Sequence, residues 1–245
     1  MLFSLLLSCI PSARLNRALE QNAALQAELA ETNAELAMTQ GQLEACNARS
    51  TQSGRPQSSA EAQVAYDAAM ALYESGAMVA ARDAFQAIQD TWPNSTQARQ
   101  AQRLTGELAV IGKPELPLSQ VELEWLQGQP NADARVTFLL FFEQWCPHCR
   151  REAPKLQQTY ARYHDQGLEI VALTRLSKSS TRENTQAFMA ESGLTYPIAV
   201  ESGALANHYV VSGIPALAVV QDGQVIWRGH PSRVDDALIQ GWLAQ

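Results

Sequence analysis

Cysteine is scarce: the 245 residues hold four, at Cys9, Cys46, Cys146 and Cys149. A disulfide-stapled scaffold is excluded, and each thiol needs its own explanation. Basic residues are short as well, with 18 Lys and Arg against 25 Asp and Glu, for a net charge of −7. Phosphate binding needs a basic surface, so nucleic acid is excluded as the main partner. No apolar run reaches the ~18 residues that cross a bilayer, which excludes an integral multi-span protein. Histidine is rare, and His164, His208 and His230 stand isolated, with surface or satisfied roles as the default. What remains is a chain that is 46% hydrophobic, enough for one or two modest domains.

The chain divides into unlike pieces. Residues 1–9 are apolar and end on Leu6-Leu7-Ser8-Cys9. A small residue before a cysteine after an apolar run resembles the lipobox of bacterial lipoproteins, although a basic n-region is missing. That resemblance implies cleavage before Cys9 and a lipid on its thiol. It places the rest on the periplasmic face of an envelope membrane, inner or outer, and Ile10 mildly favours the outer. An ordinary signal remnant is the alternative.

Residues 11–50 are rich in Ala, Glu, Gln, Leu and Asn. Leu15, Asn22, Leu29, Leu36 and Leu43 recur every seven residues, followed three residues later by Ala18, Leu25, Thr32, Thr39 and Cys46. This heptad seam reads as a coiled coil, with Asn22 fixing register in a homodimer or small oligomer. The threonines weaken the seam, and a polar spacer is the alternative. Cys46 of two parallel copies would face each other; an interchain disulfide and a free thiol both remain open. Residues 51–59 are a linker of turn formers without apolar period.

Residues 60–111 read as helices. Ala65, Ala69 and Leu72 share one face, and Ala80, Ala84, Phe85 and Ile88 face inward on the next helix. Pro93 breaks that helix, and Ser95 can cap a third over 96–108. Tyr66, Leu72, Tyr73, Gly76, Ala84, Phe85 and Pro93 resemble a tetratricopeptide repeat. With the coiled coil, the region resembles periplasmic proteins of the Tol-Pal-associated type. A lone repeat leaves its face uncovered, so it is expected to pack on the following domain or on a dimer mate. A peptide-binding groove and a structural spacer are both open.

Residues 112–245 carry the chemistry. Buried strands are expected over 136–142 and 168–173, with a helix after Cys146 to about His164. Ser180 with Glu183 reads as a capping box for a helix stopped by Gly193. A short strand is expected over 196–200. Asp222-Gly223 between two apolar runs signals a two-residue hairpin, and Ser232 is read as the cap of a last helix. Cys146-Pro147-His148-Cys149 falls where strand meets helix. A cysteine at a helix N-terminus faces unpaired N–H groups and the positive dipole end, which favour a thiolate. Pro147 suits the first turn, and His148 adds positive potential. Cys146 is therefore read as the nucleophile and Cys149 as the resolving thiol.

These residues resemble the thioredoxin superfamily, and most the TlpA-like thiol–disulfide oxidoreductases. Trp145 precedes the Cys-x-x-Cys, and Pro154 stands eight residues after Cys146, where that superfamily kinks its helix. Ser212-Gly213-Ile214-Pro215 matches the cis-proline loop, and Gly229 follows the hairpin. Glu152 matches the Cys-x-x-Cys-x-x-Glu pattern. The resemblance implies an α/β thioredoxin fold behind an all-α N-terminal region. It also implies proton transfer helped by Glu152 and substrate pairing at Ile214 and Pro215. No cofactor beyond the redox-active disulfide and no metal is implied. The buried Asp of thioredoxins, six residues before the first cysteine, is here Leu140. Proton handling at Cys149 then falls to Glu152, to water or to Glu143, for which a solvated loop acid is the favoured reading. Peroxidase chemistry would need a Thr-x-x-Cys nucleophile, which this locus lacks.

The function expected is an extracytoplasmic enzyme exchanging the Cys146–Cys149 disulfide with protein thiols and disulfides, as a reductant fed by a redox partner protein. A Pro-His dipeptide is shared with the oxidant DsbA, so a dimeric isomerase or oxidant is one alternative. The other is an envelope adaptor that binds partners through the coiled coil and repeat.

Overall fold

The computed structural model describes Arg17, residues 20–27, 29–32, Met38, and residues 59–245 except Lys178. The chain forms two compact units, Met1–Pro56 and Gln57–Gln245. In the first, the described residues are helical and exposed, Leu25 and Leu29 of the expected seam among them. Cys9, Cys46 and the rest of the seam lie outside the described residues.

The second unit opens with three helices, α1 (Ser59–Glu74), α2 (Met78–Thr91) and α3 (Thr96–Leu108). Alanines at the contacts, Ala62, Ala69, Ala81, Ala98 and Ala101, are buried and let the helices approach closely. The inward stripe of α2 is Met78, Ala81, Phe85 and Ile88. Ala80, expected inside, is exposed. It lies five residues from Phe85, about 140° round the helix. Ser95 caps α3, its hydroxyl accepting from the Ala98 N–H at 2.9 Å.

A six-stranded sheet follows: β1 (Leu123–Gln127), β2 (Val136–Phe141), β3 (Leu168–Thr174), β4 (Ile198–Glu201), β5 (Ala216–Gln221) and β6 (Gln224–Gly229), in the order β1-β4-β3-β2-β5-β6. The central strands β2, β3 and β5 are buried along almost their whole length, as their continuous Val, Ile, Leu and Phe runs require. The neighbours β2, β3 and β4 run parallel, while β5 and β6 turn antiparallel through the hairpin. Asp222 and Gly223 both take positive φ there, +50° and +73°, as a type I′ turn demands. Helix α4 (Pro147–Tyr163) crosses from β2 to β3, α5 (Arg182–Glu191) from β3 to β4, and α6 (Ala204–His208) and α7 (Asp236–Leu243) complete the layer architecture. This is the thioredoxin-like α/β fold, with β1 and β4 extending one edge.

Two expected caps move. The side chain that caps α5 is Thr181, accepting from Asn184 N–H at 3.2 Å. Ser180 is fully buried in the preceding turn. Helix α7 is capped by Asp235, accepting from Leu238 N–H at 2.9 Å, while Ser232 belongs to a single 3₁₀ turn.

The bundle docks on the redox sheet through one continuous core. Tyr73 of α1 stacks on Trp227 of β6 with ring centroids 6.3 Å apart, and its hydroxyl donates to the Arg228 carbonyl at 3.3 Å. Gly229 is needed for this approach: a Cβ there would stand 2.0 Å from the Tyr73 hydroxyl oxygen.

Candidate active site

The register of β2 against β5 builds the site. Phe141, the last residue of β2, pairs with Ala216, the first of β5. The segment leaving β2 and the segment entering β5 therefore abut. The first carries Cys146, the second Ile214-Pro215, whose peptide bond is cis. Cys146 is the N-cap of α4, and its Sγ lies 3.7 Å from the Ile214 carbonyl oxygen. Pro147 opens the helix, and Pro154 sits inside it, where its missing N–H leaves the Arg150 carbonyl without that ladder bond.

The two thiols differ in setting. Both are free and buried, Cys146 at 6% and Cys149 at 1% exposure. Burial pushes the Cys149 thiol well above its ordinary range, against a backbone hydrogen bond from Glu143. A hydrogen bond with Cys146 and the charges of Cys146 and Glu143 raise it further. Low polarity disfavours a second thiolate beside the first.

Glu143 stands in the loop between β2 and α4. It is half-buried, its charge acts on Cys149, and it accepts from Trp145 Nε1 at 2.5 Å. Trp145 holds that bond while its ring remains 49% exposed beside the dithiol. Glu152, expected to serve Cys149, is buried on the same helix but accepts from Lys155 Nζ at 3.0 Å and lines a cavity with Phe138, Pro231 and Val234. Glu143 adds a small charge effect on Cys149, the least of the causes that raise its thiol pKa. His148 is exposed, and Arg151 donates to its Nδ1 at 2.6 Å. Leu140, in the place of the thioredoxin acid, is fully buried in β2.

Sequence reasoning missed Arg228 and Glu107. Arg228 is almost fully buried and donates to three carbonyls, Tyr209 at 2.9 Å, Val210 at 3.2 Å and Gly229 at 3.3 Å. Its desolvation lowers its pKa, against the charge of Glu107. These bonds pin the chain just before the cis-proline loop, where Val210 holds φ of +51°. Glu107, from α3, accepts from Ser212 of the loop at 3.0 Å. A buried charge in a strand was the signal for Arg228; nothing local in the sequence marks Glu107. Among the described residues, no group of three His, Cys, Asp or Glu could hold a metal. None of the described helices is long and apolar enough to cross a membrane.

Comparison with known proteins agrees with this geometry. The sequence profile of the AhpC/TSA family matches residues 116–228. Thiol-disulfide oxidoreductase ResA of Halalkalibacterium halodurans is 25% identical over 130 residues, covering 53% of this chain and 69% of the relative. Its counterpart in Bacillus anthracis is 29% identical over 114 residues, 46% of this chain and 61% of that one. Sporulation thiol-disulfide oxidoreductase A of Bacillus subtilis is 29% identical over 87 residues, 35% of this chain and 52% of the relative. A solved thioredoxin-like protein in its oxidised form superposes with a TM-score of 0.45 at 23% identity, over 55% of this chain and 95% of that one. The dithiol and these relatives together point to a class: the stretch that carries Cys146 and Cys149 is similar to thiol–disulfide oxidoreductases. Within that class fall ResA and the sporulation enzyme, and the family profile, residues 116–228, lies in the thioredoxin-like half.

Proposed function

We propose that the protein is an extracytoplasmic reductant of protein disulfides, held to an envelope membrane by lipid on Cys9. The observation that carries the reading is the unequal dithiol: Cys146 at a helix N-terminus against the Ile214 carbonyl, Cys149 buried behind it with its thiol held protonated. A substrate strand pairs with the Ile214 backbone beside Pro215, with the exposed Trp145 ring as an apolar wall. The Cys146 thiolate attacks one substrate sulfur, the substrate disulfide breaks, and the departing sulfur takes a proton. Cys149 then loses its proton and attacks Cys146, closing the Cys146–Cys149 disulfide and releasing the second substrate thiol. Two electrons and two protons pass to the substrate, and a redox partner protein must restore the dithiol.

Thiolate energetics support this direction. Oxidising power grows as the reduced pair's thiolate is stabilised. Here burial opposes ionisation of Cys149, and His148 is engaged at Nδ1 by the Arg151 guanidinium. Glu143, the acid whose charge reaches Cys149, is the group we assign to its proton, with Glu152 in reserve through solvent. The exposed Leu25 and Leu29 on a helical segment support a coiled-coil homodimer in the N-terminal unit.

The reduction potential of the pair, titrated against dithiothreitol, tests the reading. A value near the ~−270 mV of thioredoxin is expected; one near the ~−120 mV of DsbA would reverse the direction. Mass spectrometry of membrane-extracted protein checks for a lipidated Cys9 at the mature N-terminus.

A further inference from the structure

Two adjoining cavities lie where the bundle meets the cis-proline loop. One, of about 270 Å³, is lined by Ile214, Pro215 and His230, and by Arg103 and Glu107 of α3. The other, of about 390 Å³, brings Tyr66, Met70 and Tyr73 of α1 together with the same Arg103, Glu107 and His230. Arg103, Glu107 and His230 line both, so the two lie side by side as a cleft from the cis-proline loop to the aromatic face of the first helix. The bundle also grips the loop: Glu107 Oε1 accepts from Ser212 Oγ at 3.0 Å and from Arg103 Nη1 at 2.9 Å.

Charge in the cleft is arranged unevenly. The Glu107 side chain is 13% exposed, whereas that of Arg103 is 67% exposed. The acid is sunk and already bonded twice. The guanidinium stands at the rim and carries five N–H donors, of which the ion pair uses one. Across the cleft, Arg233 lies over the Tyr73 ring at 5.2 Å and pairs with Glu74 at 2.9 Å. His230, half-buried between them, has its pKa lowered by desolvation, against the charge of Glu152. Of the two guanidiniums Arg103 is the more exposed, its side chain at 67% against 38% for Arg233, so it is the cation that faces solvent from the cleft.

We propose that this cleft binds the stretch of client polypeptide next to its reactive cysteine, with an acidic client side chain on Arg103. The three-helix bundle is then part of the substrate-recognition surface, and Arg103 is a specificity residue supplied from outside the thioredoxin fold. Glu107 is a positioning residue that fixes both Arg103 and the loop. The proposal rests on Cys146–Cys149 exchanging with protein disulfides. A substrate strand paired at Ile214 advances about 3.3 Å per residue, so its next few side chains enter the cleft that opens from the same loop.

The test is single-turnover reduction by the full chain, pre-reduced with dithiothreitol and freed of it. Two peptides, each with one intramolecular disulfide, differ only in flanking residues, Asp-Glu or Lys-Arg. Samples are acid-quenched and the peptide thiols alkylated and counted. Wild type should reduce the acidic peptide roughly tenfold faster at low salt, with the preference fading at high ionic strength. R103K should keep the preference and R103E should invert it. Equal rates for both peptides in the wild type would overturn the proposal, as would a ratio that R103E leaves unmoved. Failure of the underlying reading looks different: no reversible Cys146–Cys149 couple in a dithiothreitol titration, and neither peptide reduced, which sinks both.

Discussion

The three-helix bundle and the redox sheet are built on opposite principles and share one core. In the bundle, small side chains carry the packing: Ala62, Ala69, Ala81, Ala98 and Ala101 are all buried, and Phe85 is the largest fully buried side chain. In the sheet, nearly whole strands of large aliphatic and aromatic residues are buried, from Phe138 through Phe142 and, with Glu169 among them, from Leu168 through Leu173. Neither half closes its core alone, since Tyr73 of one sits on Trp227 and Gly229 of the other. The sheet supplies rigid strand ends for the thiols, and the bundle supplies side chains to the loop that faces them. The chemistry is local to a few residues, whereas the recognition surface exists only when both halves are docked.

The sharpest contrast between the halves is expected in activity. Cys146→Ser should lower disulfide reduction about 10³-fold or more by removing the nucleophile, without unfolding either half. Insulin reduction checks this, and full activity in the variant would remove the redox sheet's claim to the chemistry. Cys149→Ala should instead accumulate mixed disulfides through Cys146, visible on non-reducing gels.

Stability should show the opposite pattern, with both halves failing together. Phe85→Ala in the bundle is expected to cost about 3–5 kcal/mol. Helical circular dichroism and tryptophan fluorescence should still report one coincident transition. Two separated transitions would mean that the halves fold independently. At the seam, Gly229→Ala drives a methyl into the Tyr73 hydroxyl and is expected to cost about 1–3 kcal/mol. Combining it with Tyr73→Phe should recover part of that loss, since the nearest clashing atom is then gone.

A smaller effect separates the oxidised from the reduced redox site. Burial raises the Cys149 thiol pKa in the folded state. A raised folded pKa gives stability that is complete below the unfolded thiol's pKa and is lost as pH climbs past it. The reduced protein should therefore lose Tm relative to the oxidised protein above roughly pH 8.5, the ordinary thiol range. The difference in Tm between neutral and alkaline pH should be smaller in Cys149→Ala than in the reduced wild type, since the buried thiol that causes it is gone. A difference left undiminished by this substitution would assign the effect to another group.

Much of the redox half was legible because its signals are local. Strand length, the dithiol at a strand–helix junction, Asp222-Gly223 and Ile214-Pro215 are each read within a few residues. What escaped depends on partners far along the chain. Glu107 meets Ser212 across the bundle seam, and Arg228 is tolerable in a buried strand only because the carbonyls of Tyr209, Val210 and Gly229 converge on it. Glu143 was read as a loop acid because nothing in sequence shows that Trp145 folds back on it. Strand β1 escaped because its residues are only half-buried at a sheet edge, so their alternation is weak.

The helix caps are where local reading came closest and still slipped, and they carry the smallest effect. Ser180 and Thr181 compete for one helix start, as do Ser232 and Asp235 for another. Residue type cannot separate them, because each can accept from an N–H three residues on. Position in the fold separates them. Ser180 is committed to the buried Ser177 turn, and the Ser232 hydroxyl lies 2.8 Å from His230 Nδ1. Thr181 and Asp235 keep the extended backbone that aims a cap at the first turn. Ser95→Ala in the bundle and Asp235→Ala in the redox half should each cost about 1 kcal/mol. Ser232→Ala should cost distinctly less in the same urea titration. If Ser232→Ala proved as costly as Asp235→Ala, the last helix would begin a turn earlier than Asp236. Equal losses at Ser95 and Asp235, with unchanged m-values, would fit two dissimilar halves melting as one body.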